Sequence, residues 1–153
     1  MRIENFDLNE IYKKFPDRAA CTVFLEKIRW SNNPICPYCK LRKASPLPNE
    51  LRHHCNICNS SYSVTSGTIF HRSHLPLQKW FFAICLVLNS GKFISTRRLA
   101  KYLRVNKDTA WSMMVKIRRF LFENRELLFE IAKVAENNGG GTLNTGKNIW
   151  PKR

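Results

Sequence analysis

Four cysteines carry the sharpest chemistry in this sequence. They stand as two pairs, Cys36-Pro37-Tyr38-Cys39 and Cys55-Asn56-Ile57-Cys58, with fifteen residues between the pairs. Two residues between cysteines let the chain turn tightly enough for both thiolates to reach one metal ion. Two such turns supply four sulfurs at tetrahedral corners, about 2.3 Å from Zn²⁺. Four thiolates leave no open coordination position, so one structural zinc ion is expected, and not a catalytic one. Disulfides or unrelated buried thiols are the alternatives, and the doubled spacing is what favours metal. Cys21 and Cys85 lie inside helical apolar patterns and read as small core residues. His53, His54, His71 and His74 are further ligand types, but with four cysteines available they are expected to be exposed or to face phosphate.

The segment holding these cysteines is too short to bury much apolar surface, so metal binding is expected to drive its folding. Around it the charge is one-sided. The 153 residues include 26 Lys and Arg against 11 Asp and Glu, a formal charge of +15. A Zn(Cys)4 site removes little of that. A chain so cationic favours a polyanionic partner, nucleic acid first and an anionic membrane second. From Leu51 to Lys107 there is no Asp or Glu, while Arg52, Arg72, Lys79, Lys92, Arg97, Arg98, Lys101, Arg104 and Lys107 all fall there. Ordinary solubilising charge is the plainer reading, but a solvated surface normally mixes signs. The first ten residues lack the apolar run of a signal peptide, and Trp80 to Leu88, the longest apolar run, is too short to span a bilayer. A soluble, cytoplasmic protein without membrane or small-molecule partners is therefore expected, in a compartment where thiols stay reduced.

The elements that must position these residues follow from periodicity. Phe6, Leu8, Ile11, Tyr12 and Phe15 give a helix ending at Pro16; Asp17 then caps a second helix carrying Ala20, Val23, Phe24, Lys27 and Ile28. Both are expected to pack on the metal site. Ala44 to Pro48, Leu51 to His54, and Tyr62 with Val64 and Thr68 read as short strands or strand edges. Leu77 to Asn89 is apolar nearly all round, so the spacing predicts a helix buried at the centre of a domain, stopped by Asn89-Ser90-Gly91. Next, Ser95 caps a helix with Leu99 and Leu103 on its inner edge, Val105 plugs a turn, and Asn106 caps a second helix with Ala110, Met114, Ile117 and Leu121 on one face. That is the layout of a helix-turn-helix (95–119), with a generic helical hairpin as the alternative. In a helix-turn-helix, Lys107, Thr109 and Ser112 would face base edges, with Lys116 on the same outer face. Arg97, Arg98, Lys101, Arg118 and Arg119 would mostly grip phosphates. A further helix extends from Leu121 to Ala135, and the polar tail 136–153 is expected to be disordered.

Residues from about 15 to 120 resemble the N-terminal half of bacterial insertion-sequence transposases that carry a zinc ribbon before an RNase H-like DDE catalytic domain. The likeness rests on Phe15-Pro16-Asp17, Leu25 to Trp30, and the first cysteine pair. It is most specific in Tyr62-Ser63-Val64-Thr65-Ser66-Gly67-Thr68-Ile69-Phe70-His71-Arg72-Ser73 with Leu75 to Phe81, and continues through Leu99 to Leu103, Thr109-Ala110-Trp111 and Ile117-Arg118. The resemblance implies recognition of double-stranded transposon-end DNA by ribbon and helix-turn-helix together, with self-association of transposase as a further implied contact. Two departures matter. The family often has Gly after each cysteine pair, where this chain has Lys40 and Asn59, so a slightly strained first knuckle is expected. The family's catalytic carboxylates hold two metal ions for phosphodiester chemistry, whereas here only Glu136 lies beyond Glu130. The chain is thus expected to be a truncated, non-catalytic DNA-binding module. The alternatives are a regulator that competes or pairs with full-length transposase, or a subunit completed by a separately encoded catalytic domain.

The expected fold is α+β, mainly α: N-terminal helices (1–30), a small β zinc ribbon (31–74) and a helical domain with the helix-turn-helix (75–135).

Overall fold

The computed structural model describes residues 8–89 and 94–136. In order, the elements are α1 (Leu8–Lys14), α2 (Arg18–Trp30), β1 (Ala44–Leu47), β2 (Arg52–Cys55), β3 (Ser61–Tyr62), α3 (Leu77–Asn89), α4 (Thr96–Leu103), α5 (Lys107–Glu123) and α6 (Arg125–Glu136). The strands form an antiparallel sheet in the order β1-β2-β3, with Ala44 opposite Cys55 and His53 opposite Tyr62. The expected α+β, mainly α class is what the structure shows.

α3 is the hub. Leu77, Gln78 and Trp80 to Leu86 are all buried, as a helix apolar on every side requires. It touches α1, α2, α4, α5 and α6. Phe81 meets Phe15 edge-on at 5.1 Å and Phe24 at 5.7 Å. The polar side chains of this helix are spent on tying neighbours to it: Gln78 Nε2 donates to the Phe15 carbonyl at 3.0 Å, and Asn89 Nδ2 to the Ala132 carbonyl at 3.0 Å.

Three differences from the sequence expectations have physical causes. α5 and the following segment are not one helix. Asn124, at φ −136°, breaks the run, and α6 turns back to pack on α3. A straight extension would leave Leu127, Leu128, Ile131 and Ala132 in water, whereas all four are buried here. The third strand stops at Tyr62, and Val64 and Thr68 lie in turns. The hydroxyls of this stretch bond their own backbone instead of a neighbouring strand, with Thr68 Oγ1 donating to the Thr65 carbonyl at 2.6 Å and the Ser63 N–H to Ser66 Oγ at 3.2 Å. Gly67, at φ 73°, supplies the left-handed residue this turning needs. Finally, α2 meets the ribbon through Glu26 and Trp30 as well as packing on α3 and α6, but α1 packs on α3, and Lys14 Nζ at its end donates to the Val134 carbonyl of α6 at 2.9 Å. Ser90 and Gly91, expected to stop α3, and the tail from Asn137 onward lie outside the described residues, as does Phe6; Glu136 belongs to α6.

Candidate metal centre and candidate nucleic-acid interface

The two cysteine pairs fold into matching knuckles. In the first, the Lys40 N–H donates to the Cys36 carbonyl at 3.0 Å and the Cys36 N–H to the Leu41 carbonyl at 3.0 Å. In the second, the Asn59 N–H donates to the Cys55 carbonyl at 3.0 Å and the Cys55 N–H to the Ser60 carbonyl at 2.8 Å. Lys40 (φ 64°) and Asn59 (φ 58°) both take the left-handed conformation that closes such a turn. The strain expected at Lys40 is therefore present, and the knuckle survives it.

The knuckles bring Cys36, Cys39, Cys55 and Cys58 together, with all four Sγ atoms within 4.8 Å of one another. Cys36 and Cys58 Sγ are 3.6 Å apart, and Cys39 and Cys55 Sγ 3.5 Å. Tetrahedral Zn–S bonds of about 2.3 Å place neighbouring sulfurs about 3.8 Å apart, so the cluster fits the ion. A disulfide needs about 2 Å, so neither of these sulfur pairs is bonded. The residues present thus form a four-cysteine site for one zinc ion, whose role with every position filled by protein is structural. Nearby donors favour the thiolate form at two of the four positions, whereas at Cys39 the Leu41 N–H is outweighed by burial and by the adjoining cysteines, which raise its pKa to about 11. The Ser60 hydroxyl and backbone N–H push the Cys58 thiol down to about 6, and the backbone N–H groups of Cys58 and Ile57 lower that of Cys55.

The histidines divide. His71 and His74 are exposed. His53 is not: its Nε2 lies 2.8 Å from Glu26 Oε1, and its ring stacks edge-on against Trp30 at 5.6 Å. It belongs to the seam that fixes α2 on the ribbon, together with Trp30 against Tyr62 at 5.7 Å and the Arg29 Nη1–H donating to the Val64 carbonyl at 2.7 Å. Burial lowers the pKa of Arg29. His54 is half-buried, with Nδ1 3.4 Å from Ser61 Oγ. Sequence could not show this, because the partners come from α2 and from the neighbouring strand.

The second constellation is a helix pair closed by three local devices. Ser95 accepts from the Arg98 N–H at 3.3 Å, and Asn106 Oδ1 from the Thr109 N–H at 2.7 Å, as both were expected to do. Between them, the Val105 N–H reaches the Ala100 carbonyl at 3.1 Å and the Arg104 N–H the Lys101 carbonyl at 3.4 Å, a Schellman turn with Arg104 at φ 55°. α4 and α5 therefore meet across three residues, packed on α3 through Leu99, Leu103, Ala110, Met113, Met114 and Ile117.

Arg97, Arg98 and Lys101 of α4 are exposed, as are Lys107, Ser112, Lys116, Arg118 and Arg119 of α5; Thr109 is half-buried. Some of these cations are steadied locally. Arg98 stacks over the Tyr102 ring at 5.9 Å, Lys116 Nζ lies 6.0 Å from the Trp80 ring, and Arg119 Nε lies 3.7 Å from Glu123 Oε1. Trp111 and Val115 lie off the predicted inner face of α5, and both are exposed. The buried set Ala110, Met113, Met114 and Ile117 leaves them outside, and Met113, unassigned from sequence, is what completes it. Among the described residues no helix is long and apolar enough to cross a membrane.

Comparison with known proteins bears on the ribbon first. Residues 16–61 match the family model described as a transposase zinc-ribbon domain, a span that takes in α2 and both knuckles. Over 112 residues, 71% of this chain, the sequence is 27% identical to an uncharacterized protein in transposable element ISH50 of Halobacterium salinarum. The chain covers 36% of the length of that relative. No solved structure matches the chain. The metal-binding segment is thus of the transposase zinc-ribbon type, and the chain's similarity to a protein of a transposable element supports a transposase-related role.

Proposed function

We propose that this chain is a DNA-binding module of transposase type, which recognises duplex DNA at transposon ends through its helix-turn-helix with the zinc ribbon beside it. The observation that carries this reading is the outer surface of α4 and α5. Seven exposed basic side chains, Arg97, Arg98, Lys101, Lys107, Lys116, Arg118 and Arg119, lie on two helices joined by a three-residue turn. The second helix has a capped N-terminus, the end that enters a major groove. In this reading the α4 arginines and Lys101 grip phosphates, and Lys107, Thr109 and Ser112 approach base edges. The ribbon, held rigid by its metal and by α2, adds a second cationic unit.

The chain on its own binds and does not cut. Phosphodiester transfer in this class of reaction needs gathered carboxylates to hold two metal ions. Among the described residues, the group with metal-holding geometry is the four-cysteine site.

Binding of a randomised duplex pool at increasing salt tests the first statement. Each phosphate contact contributes a slope of about 0.9 in log K against log salt, so six contacts give roughly 5. An affinity that barely changes between low and moderate salt refutes duplex binding through this face. Nicking of bound duplex by the chain alone with Mg²⁺ refutes the second statement.

A further inference from the structure

The outward face of α5 carries something a phosphate-gripping surface does not need. Trp111 is 55% exposed and Val115 43% exposed, one helical turn apart. Val115 falls nearly opposite the stripe of Ala110, Met113, Met114 and Ile117 that faces the core, and Trp111 beside it. Ser112 and Lys116 border this pair on one side, and Lys107 and Arg118 on the other. The result is a small apolar strip in the first half of the helix, framed by cations and a hydroxyl.

We propose that Trp111 and Val115 read thymine by contact with its C5 methyl group in the major groove. The inference rests on the DNA-binding reading above and adds to it the base that is recognised. Thymine is the base whose major-groove edge presents a methyl group, and apolar side chains are what recognise it. Charge decides between DNA and protein as the occupant. A strip flanked by Lys107, Lys116, Arg118 and Arg119 draws a polyanion, while a second copy would bring like charge against like. Even with Phe122, which continues the same face seven residues beyond Val115, three side chains are a small patch for a stable protein interface, which needs about 800 Å² per partner. Phe122, 92% exposed, lies eleven residues beyond Trp111, about 16 Å down the helix axis, beyond the N-terminal turns that approach bases. It serves as the control.

The test starts with duplexes selected from a randomised pool by the full chain loaded with zinc. Each thymidine is then replaced by deoxyuridine, which removes the methyl and nothing else. The wild-type chain is expected to lose about 4-fold in affinity for each buried methyl removed. Trp111→Ala and Val115→Ala are expected to abolish that discrimination while keeping the salt slope, and Phe122→Ala to keep both. Both side chains are exposed, so the variants fold, and an unchanged helical circular dichroism spectrum verifies it. Indifference of the wild-type chain to every replacement overturns the inference, as does discrimination that persists in Trp111→Ala. A Trp111→Ala chain that binds and discriminates normally but no longer self-associates assigns the strip to protein contact instead. Each of these leaves salt-dependent duplex binding standing. Loss of that binding in the wild-type chain refutes the proposed function itself.

Discussion

Lys40 sits where a knuckle asks for glycine, and the cost is local. Its left-handed φ of 64° closes the same turn that Asn59 closes in the second knuckle. A residue with a Cβ pays about 1–2 kcal/mol for that conformation, and glycine recovers most of it less its greater unfolded-state freedom, about 0.5–1 kcal/mol. Lys40→Gly is therefore expected to stabilise the zinc-loaded chain by about 0.5–1 kcal/mol in chemical denaturation; a loss of stability would place the value of Lys40 in its side chain. Tyr62 makes a different point. Its ring is 1% exposed and packs on Trp30, yet its hydroxyl has no hydrogen-bond partner among the described residues. Burial, and then the charges of the four cysteines, push its pKa up to about 12. The raised value means stability is gained below the ordinary tyrosine pKa and lost only as pH climbs through about 12, so neutral solutions see no titration. An unpartnered buried hydroxyl contributes nothing by its presence, so Tyr62→Phe is expected to be neutral or mildly stabilising in the same measurement. The four cysteines and the strained Lys40 were legible in the sequence because they act through spacing and backbone geometry. The role of His53 was not, since its partners Glu26 and Trp30 stand on α2, more than twenty residues away.

At the scale of elements, capping made the helices readable. Asp17, Ser95 and Asn106 each accept the N–H three residues on, the local arrangement their sequence positions predict. Asn106 matters most, since it holds the first turn of α5, where Lys107 sits. Asn106→Ala is expected to cost about 1 kcal/mol, which lowers the melting temperature by about 3 °C for a chain of this size. Duplex affinity should weaken with it although no charge is removed, which a binding isotherm at fixed salt checks. The break at Asn124 escaped the sequence because Leu121, Leu128, Ile131 and Ala135 keep helical spacing across the polar stretch Glu123 to Glu126. A periodic stripe says that a face is buried, not whether the chain must first reverse to bury it. The short third strand escaped for a related reason: Val64 is buried as a strand residue would be, but in a turn held by hydroxyls.

For the whole molecule, the two units draw stability from different sources. The strands are two to four residues long, so the sheet depends on its metal, whereas α3 and its neighbours bury a large apolar core. Removal of zinc with a chelator is expected to expose four thiols to an alkylating reagent while Cys21 and Cys85 stay protected and helical circular dichroism is largely kept. Cys21 is buried in α2 with its thiol pushed up to about 12, chiefly by burial, and Cys85 lies within α3. Six thiols reacting together would show that the helices need the ribbon. The sequence by itself determined the metal site, the caps, the central helix and the one-sided charge, because each rests on spacing, local hydrogen bonding or composition. Only the tertiary structure decided that α1 lies on α3, that α6 folds back, that His53 locks α2 to the ribbon, and that Trp111 and Val115 face outward. Those outcomes depend on which distant surface each face can bury, and no stretch of sequence carries both halves of such a contact.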